Sequence, residues 1–316
     1  MSAAHENVKV RYQQIAYRKA QQVEETRQNA YAKVPELAGL ETELLQVNLD
    51  ILQSGINKRL DRTALKTRRD ALTKEIAAKL TQNGFAADAL IPKAVCAICG
   101  DTGVAPNGGR CACYDRYLLE ARIKDSGLPE YSGSFETFDA GVFSDEKGKE
   151  KVSQRQYMQT LKERCEKYAA AAFEDGEKNL ILMGSAGTGK SFLAQAVVTR
   201  ALQNGQIAMY TTAGRLFKDF YNHRLGENVD LERYEDVPLL AIDDLGTEIM
   251  TKNVTVEYFY NLISARETMG KATVIATNLT PEDFVSRYGD RIYSRLFSKI
   301  SAKYLIPAGY PDIRKN

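Results

Sequence analysis

Hydrophobic positions in residues 1–92 recur with the period of an α-helix. One set is spaced 3, 4, 3 and 4 residues apart, as in a helix-packing seam, and consists of Leu37, Leu40, Leu44, Val47 and Ile51. A second set follows Ser54-Gly55 and consists of Leu65, Leu72, Ile76 and Leu80. Asn83-Gly84 is a typical end for that helix, and Pro35 ends an earlier one at about residues 6–32. The pattern predicts an all-α N-terminal region, either a partner-docking region or a solvated helical bundle.

From about residue 155 the pattern changes to short apolar runs that alternate with amphipathic helical stretches. Strands separated by helices favour right-handed crossovers and a parallel sheet. The runs are Leu180–Met183, Ile207–Tyr210, Leu239–Ile242, Ala272–Ala276 and, more weakly, Tyr304–Ile306. The sequence therefore predicts an α/β domain with a mainly parallel five-stranded sheet.

Composition narrows the class of protein. The 316 residues are 44% hydrophobic and 27% charged, which is typical of a globular chain with about two domains. Lys and Arg number 43 and Asp and Glu 41, so nucleic-acid binding requires a local basic patch. No apolar run approaches the length of a membrane span, and the N-terminus has no apolar signal segment. We therefore expect an intracellular, cytoplasmic protein without a membrane partner.

Residues 93–115 concentrate four of the five cysteines in a glycine-rich segment. Cys96 and Cys99 form one close pair, and Cys111 and Cys113 form a second. Four thiolates in two close pairs suit tetrahedral Zn²⁺ with no open coordination position, so we predict a small structural zinc-binding module. An iron–sulfur cluster and unliganded thiols are the alternatives. The fifth cysteine, Cys165, is predicted to be a small core residue.

The strongest motif matches the phosphate-binding pattern GxxxxGK[ST]. It follows the predicted strand Leu180–Met183 and precedes a helical run, which is the context that a phosphate loop requires. Backbone N–H groups would face the phosphates of ATP, and the helix beginning near Lys190 directs its positive dipole end at them. Lys190 is predicted to reach the β- and γ-phosphates, and Ser191 to be a ligand of Mg²⁺. The predicted nucleotide-binding residues are Gly184, Ser185, Ala186, Gly187, Thr188, Gly189, Lys190 and Ser191.

Two carboxylates follow the predicted strand Leu239–Ile242. Asp243 would hold Mg²⁺, commonly through water, and Asp244 would orient or polarise the attacking water. A capping role in the loop is the alternative for both. Asp is shorter than the Glu that is usual at the second position, and Glu248 is a second source of that carboxylate. We predict an Mg²⁺-dependent ATPase with slow turnover that partner or DNA stimulates.

The run Ala272–Ala276 ends in Thr277-Asn278. Asn278 is predicted to bond the attacking water or the γ-phosphate, with a turn-forming role as the alternative. Arginines in the short segment that follows suggest charge supplied to a neighbouring subunit's γ-phosphate, against the alternative of solvated surface charge. They are Arg287, Arg291, Arg295 and Arg314.

Together these motifs resemble the AAA+ ATPases of the DnaC/DnaI/IstB group, which comprises bacterial and phage helicase loaders and their transposition-helper relatives. The resemblance covers about residues 94–316, and residues 1–93 match only in being helical. It rests on Gly184–Ser191, Leu239–Gly246, Thr277-Asn278, Gly289-Asp290-Arg291, Gly100–Gly103 within the cysteine module, and Ser134–Phe138.

The resemblance implies an AAA+ P-loop fold with a reduced lid and the function of a replicative helicase loader. Such loaders bind the replicative DNA helicase through the N-terminal region, assemble on it, and hold its ring on single-stranded DNA under the control of ATP. By position, Asn278 falls on sensor 1, Arg291 on the arginine finger with Arg295 as the fallback, and Arg314 on sensor 2. The pair Asp243-Asp244, where relatives often have Asp-Glu, departs from the family pattern.

Contact with single-stranded DNA needs aromatic and basic side chains. The predicted contacts are Phe217, Lys218, Phe220, Tyr221 and Arg224. A place in the core of an amphipathic helix is the alternative, and the favoured one, for at least two of the aromatic residues.

The resulting domain scheme has four parts. They are a helicase-binding region (1–92), the zinc-binding module (93–115), a connector (116–150) and the AAA+ ATPase domain (151–316). An IstB-like transposition helper and an ATP-gated adaptor with little turnover are the alternative functions.

Overall fold

The helical period of the N-terminal sequence produces three helices in the computed structural model, which describes residues 3–55, 61–147, 149–172, 177–298 and 301–315. They are α1 (Ala3–Lys33), α2 (Glu36–Gln53) and α3 (Arg62–Gln82). Asp61 begins α3 because its carboxylate accepts hydrogen bonds from the N–H groups of Thr63 and Ala64 at 2.9 and 3.2 Å. Leu37 of α2 and Leu80 of α3 are buried in one core, so the two predicted seams pack inward.

The cysteine segment folds without long regular elements. A single antiparallel bridge joins Val104 to Arg110 between the two cysteine pairs, and α4 (Ala112–Asp125) begins at the second pair. Contacts divide the chain into two units, Met1–Tyr117 and Leu118–Asn316. The functional division of the chain into four parts remains a prediction.

The second unit alternates strands and helices. Its strands are β1 (Asn179–Met183), β2 (Ala208–Thr212), β3 (Leu239–Leu245), β4 (Ala272–Thr277) and β5 (Ser301–Leu305). Its further helices are α5 (Gln154–Ala171), α6 (Lys190–Gln203), α7 (Ala213–Arg224), α8 (Glu232–Asp236), α9 (Thr255–Thr268), α10 (Pro281–Tyr288) and α11 (Asp290–Leu296). The five strands include the weakly predicted last one.

All strand pairs in this sheet are parallel, and the order is β2-β3-β4-β1-β5. The carboxyl ends of β1, β3 and β4 therefore meet at one edge of the sheet. Because the chain leaves β1 for the far edge and returns through β3 and β4, a crevice forms at this edge, which is where open α/β sheets bind ligands.

Alternate residues of each strand bury into helices on opposite faces of the sheet. Leu180 and Leu182 of β1 pack in a core with α5 and α6, whereas Ile181 packs in a core with α7, α9, α10 and α11. The predicted α/β fold with a parallel five-stranded sheet is confirmed. A short 3-10 turn, Ile313–Lys315, follows β5, and the reduced lid remains a prediction.

The predicted connector is more closely packed than a linker. Phe135 and Phe143 are buried in the same core as α5 and α6, and Cys165 lies in that core as predicted. Residues 118–150 therefore form part of the second unit. No helix in the described ranges is both long and apolar enough to cross a membrane.

Candidate nucleotide and metal sites

The phosphate loop connects the carboxyl end of β1 to the first turn of α6. Gly189 is the N-cap of α6 with φ +91°, a left-handed conformation that glycine adopts without steric cost. Gly187, at φ +68°, lies so close to Asp312 that an added Cβ would overlap that carboxylate. The free N–H groups at the start of α6 thus face a cavity, which is the arrangement that binds phosphate.

Lys190 is nearly buried within this loop. Its ammonium group donates hydrogen bonds to the carbonyl oxygens of Gly184 and Ser185 at 2.8 and 2.7 Å. Burial lowers the pKa of Lys190, and the carboxylates of Asp243 and Asp244 oppose that shift. The lysine charge is therefore held over the loop by backbone oxygens that a phosphate oxygen can replace.

Ser191 and Asp243 come together at the carboxyl end of β3. The Ser191 hydroxyl donates to Oδ1 of Asp243 at 3.1 Å, and the N–H of Asp244 donates to the same oxygen at 2.9 Å. A hydroxyl and a carboxylate are the hard oxygen donors that Mg²⁺ prefers, so this pair fits the metal. Sequence reasoning placed both residues in this site.

Asp244 and Glu248 differ sharply in their surroundings. The Asp244 side chain reaches solvent, and the residue has φ +54°. Partial desolvation of its carboxyl and, after it, the charge of Asp243 raise the Asp244 pKa. The Glu248 carboxylate is buried and accepts hydrogen bonds from the Tyr288 hydroxyl at 2.6 Å, Arg287 Nε at 3.0 Å and the Gly246 N–H at 2.9 Å. Both Glu248 oxygens are occupied, so the idea that Glu248 supplies the longer carboxylate does not fit its geometry.

The other predicted nucleotide-binding residues line a cavity of about 280 Å³. Asn278, at the tip of β4, and Arg314 line it together with the phosphate loop and Asp244. Arg314 forms an ion pair with Asp312 at 2.9 Å, which raises the Arg314 pKa. The Asp312 carboxylate, which sequence reasoning missed, thus stands beside the phosphate loop.

Arg291 and Arg295 lie on α11, where both contact Tyr260 of α9. The Arg291 guanidinium is 4.2 Å from the Tyr260 ring centre and donates to its hydroxyl at 2.8 Å. Arg295 donates to the same hydroxyl at 3.0 Å and also pairs with Glu267. Among the described residues Arg291 has no carboxylate partner, whereas Arg287 is engaged by Glu248. Of the arginines on α10 and α11, Arg291 has the charge that is least neutralised.

Tyr210 of β2 is a further residue that sequence reasoning missed. Its hydroxyl donates to Oδ2 of Asp243 at 2.5 Å. Burial, with the carboxylate of Asp243 beside it, raises the Tyr210 pKa, so the hydroxyl keeps its proton. The sequence feature that could have identified Tyr210 is a tyrosine hydroxyl in a predicted strand, Ile207–Tyr210, that neighbours the Asp243 strand in the sheet.

The four cysteines of residues 93–115 converge in the first unit. The Sγ atoms of Cys96 and Cys111 are 3.8 Å apart, those of Cys99 and Cys113 are 3.4 Å apart, and all four lie within 4.8 Å of one another. A tetrahedron with Zn–S bonds of about 2.3 Å has edges of about 3.8 Å, so these thiols fit Zn²⁺. Asp101 accepts the N–H groups of Val95 and Cys96 and pairs with Lys19 of α1, which fixes the hairpin around the cluster.

The predicted DNA contacts divide into two groups. Phe217 and Phe220 are buried in the core under α7, so these two residues are core residues of an amphipathic helix, as the alternative interpretation expects. Tyr221 is 45% exposed, and Lys218 and Arg224 are exposed. Tyr221 and Lys218 line a cavity of about 640 Å³, together with the loop residues Thr247, Ile249 and Thr251.

A family model for IstB-like ATP-binding proteins matches residues 142–297, which span the phosphate loop, Asp243, Asn278 and Arg291. This part of the chain therefore matches the IstB-like ATP-binding family. The resemblance to the DnaC/DnaI/IstB group is thereby confirmed, and with it ATP binding as a property of the family.

Curated relatives match part of this chain. It is 30% identical over 125 residues to the uncharacterised protein YdaV of Escherichia coli K12, which covers 38% of this chain and 50% of YdaV. It is 27% identical over 128 residues to the replicative helicase loader DnaC of the same strain, covering 39% of this chain and 52% of DnaC. The chain spans about half the length of these two curated relatives.

Solved structures are also similar. A crystal structure of the DnaC helicase loader matches at a TM-score of 0.44 and 20% identity, covering 55% of this chain and 98% of that one. A crystal structure of DnaI matches at a TM-score of 0.44 and 21% identity, covering 58% of this chain and 90% of that one.

Proposed function

We propose that this protein is a cytoplasmic, ATP-dependent loader of a replicative DNA helicase. It would bind the helicase ring, assemble on it and place it on single-stranded DNA, with ATP binding and hydrolysis controlling loading and release. The observation that carries the proposal is the assembled site of Lys190, Ser191 and Asp243 in a domain whose relatives include a protein named as a replicative helicase loader.

In this proposal each site residue has one task. Lys190 moves from its backbone acceptors to the β- and γ-phosphates, and Ser191 and Asp243 hold Mg²⁺, which would neutralise charge on the phosphates. Asp244 and Asn278 orient the attacking water. Arg291 of a neighbouring subunit approaches the γ-phosphate, so hydrolysis requires assembly.

The first unit offers a surface for the helicase. Leu45, Leu49 and Leu52 are spaced 4 and 3 residues apart on α2 and are 62%, 44% and 74% exposed. We define these residues as the leucine stripe. Clustered exposed leucines are typical of interaction sites, and the stripe lies in the region predicted to dock the helicase.

The cavity beside α7 suits single-stranded DNA. Tyr221 provides a ring on which a base can stack, and Lys218 a charge for the backbone. Tyr221→Ala should weaken binding of an oligonucleotide about tenfold, and Lys218→Ala should reduce the salt dependence of binding. Tyr131→Ala, which removes another exposed tyrosine of the same unit, is the control.

The deciding experiment is native mass measurement of the full chain mixed with its host's replicative helicase, in ATP and in ADP. We expect a defined complex whose stoichiometry changes with nucleotide and which Lys190→Ala makes insensitive to nucleotide. The double substitution Leu45→Ser/Leu52→Ser should abolish the complex, whereas Leu225→Ser, at an equally exposed leucine of the second unit, should not. No complex in either nucleotide would exclude the loader.

The family model favours one alternative, an IstB-like transposition helper that remodels target DNA for a transposase. This function uses the same ATP site and requires no helicase. A complex with a transposase encoded beside this gene, and none with the helicase, would establish it. An adaptor that binds ATP with little turnover is distinguished from both by a hydrolysis assay, since Asp244 replaces the usual Glu.

A further inference from the structure

A chain of hydrogen bonds leads from a loop of the connector to the Mg²⁺-binding carboxylate. The Gly133 N–H donates to Oε1 of Gln195 at 3.0 Å, and Nε2 of Gln195 donates to the Tyr210 hydroxyl at 3.3 Å. The hydroxyl in turn donates to Oδ2 of Asp243 at 2.5 Å. Every group has the donor or acceptor role that its chemistry allows, so the direction of the chain is fixed.

These hydrogen bonds occupy one Asp243 oxygen and leave the other for the metal site. Oδ2 is occupied by the Tyr210 hydroxyl, whereas Oδ1 faces Ser191 and the Asp244 N–H. The carboxylate is thus prevented from rotating about its Cβ–Cγ bond. An oriented carboxylate binds a divalent ion more tightly than one that is free to rotate, because less conformational freedom is lost on binding.

Packing fixes Tyr210 and Gln195 themselves. Tyr210 is buried, and its backbone N–H donates to the carbonyl oxygen of Ser126 at 2.7 Å. Gln195 lies one helical turn after Ser191 on α6, so both side chains face the same side. An added Cβ on Gly133 would come within 2.7 Å of the Phe192 ring, which shows how closely the connector loop approaches α6.

We propose that Gly133, Gln195 and Tyr210 form a positioning relay that orients Asp243 for Mg²⁺ and ties that orientation to the connector loop. Tyr210 and Gln195 act through Asp243 and do not themselves contact the nucleotide. The proposal deepens the proposed function and rests on the nucleotide site described there.

Tyr210→Phe removes one hydroxyl and keeps the ring. We expect it to raise the Mg²⁺ concentration for half-maximal fluorescence change of a bound fluorescent ATP analogue by about 10-fold or more, as loss of a partner that orients a metal ligand does. Gln195→Leu should raise it by less, because the Tyr210 hydroxyl still reaches Asp243. The measurement reports binding and does not require hydrolysis.

The control is Tyr168→Phe. The Tyr168 hydroxyl is also buried in this unit and donates at 2.8 Å to the carbonyl oxygen of Lys178, away from Asp243. This variant should leave the Mg²⁺ midpoint unchanged. An equal shift of the Mg²⁺ midpoint in Tyr168→Phe, or no shift in Tyr210→Phe, would contradict the proposed relay.

The double variant distinguishes the relay from separate effects on packing. In the Tyr210→Phe background Gln195→Leu should have no further effect on the Mg²⁺ midpoint, since its influence passes through the hydroxyl. Additive shifts would contradict the relay. Absence of any Mg²⁺-dependent ATP binding by the natural protein would instead remove the proposed nucleotide site, and the relay with it.

Discussion

At the scale of single residues, the site departs most from expectation where side chains from distant segments meet. Asp312 and Tyr260 have no sequence motif, and each became visible only through its neighbours: the phosphate loop for Asp312, and Arg291 and Arg295 for Tyr260. Lys190, Ser191 and Asp243 were predictable because the phosphate loop and its acidic partner are contiguous patterns with a known geometric purpose.

Asp312 places negative charge where the phosphates of ATP are expected. Asp312→Asn should tighten ATP binding about 5- to 10-fold, because it removes repulsion of the phosphates and frees Arg314 from its ion pair. Titration with a fluorescent ATP analogue measures the change, with the exposed Asp230→Asn as control. Weaker binding in Asp312→Asn would instead mean that the carboxylate holds Arg314 in its working position.

The pKa of the Tyr260 hydroxyl is lower than that of an ordinary tyrosine. The hydrogen bond from Arg295, with further support from Arg291, lowers the Tyr260 pKa to about 8. Because this folded pKa lies below the ordinary value of about 10, the ionised phenol stabilises the fold fully above pH 10, and this contribution is lost as the pH falls through 8. The melting temperature of the natural protein relative to Tyr260→Phe should therefore rise between pH 8 and pH 10.

Ultraviolet difference spectra between the two proteins isolate this one phenol from the other tyrosines. A phenolate band that appears near pH 8 and is absent in Tyr260→Phe is the expected result, with Tyr131→Phe as the control for an exposed tyrosine. Ionisation only near pH 10 would show that the two arginines do not hold the hydroxyl in solution.

At the scale of elements, hydrophobic period predicted the five strands and the N-terminal helices, but it missed α4. The apolar run of β1 and the seams of α2 and α3 are clear patterns that tertiary contacts reinforce. The sequence of α4 follows directly on cysteines and leads into a turn-rich stretch, so its helical period was obscured. Strand β3 continues past Asp243 to Leu245 because Leu245 pairs with Thr277 of β4 after a shift in register, which no local propensity reveals.

Arg266 connects several of these elements. It is buried on α9 and donates hydrogen bonds to the carbonyl oxygens of Tyr234 and Val237 at 2.8 Å and to the Thr273 hydroxyl at 3.0 Å. Burial lowers its pKa to about 10, so the guanidinium is charged at neutral pH. Arg266→Ala should lower the free energy of unfolding by about 3–5 kcal/mol, because it leaves buried carbonyl groups without donors.

Urea denaturation measures this loss. Arg200→Ala is the matched control, since Arg200 pairs with Glu136 and Glu166 at a more exposed position, where ion pairs contribute about 0–1 kcal/mol. Similar losses of unfolding free energy in the two variants would show that the buried hydrogen bonds of Arg266 stabilise the fold no more than the exposed ion pairs of Arg200 do.

At the scale of the whole molecule, the two units have separate hydrophobic cores but only the first contains the cysteine cluster. Metal therefore should stabilise one unit selectively. The cluster also holds α1, because the Tyr12 hydroxyl lies 3.1 Å from Cys113 Sγ and Lys19 pairs with Asp101. Removal of a Zn²⁺ ion bound there would leave four close thiols without the ion that joins them, and structural zinc contributes directly to folding free energy.

Chelation should accordingly release one Zn²⁺ per chain and raise the rate of amide hydrogen exchange in α1, while the second unit retains ATP binding. Lys19→Met, with Zn²⁺ present, is the control: it breaks one α1 contact without touching the metal, so it should raise exchange near residue 19 alone. Unchanged protection of α1 after complete release of Zn²⁺ would contradict the inference that the cluster anchors this helix. Loss of ATP binding together with the metal would show instead that folding of the second unit depends on the first.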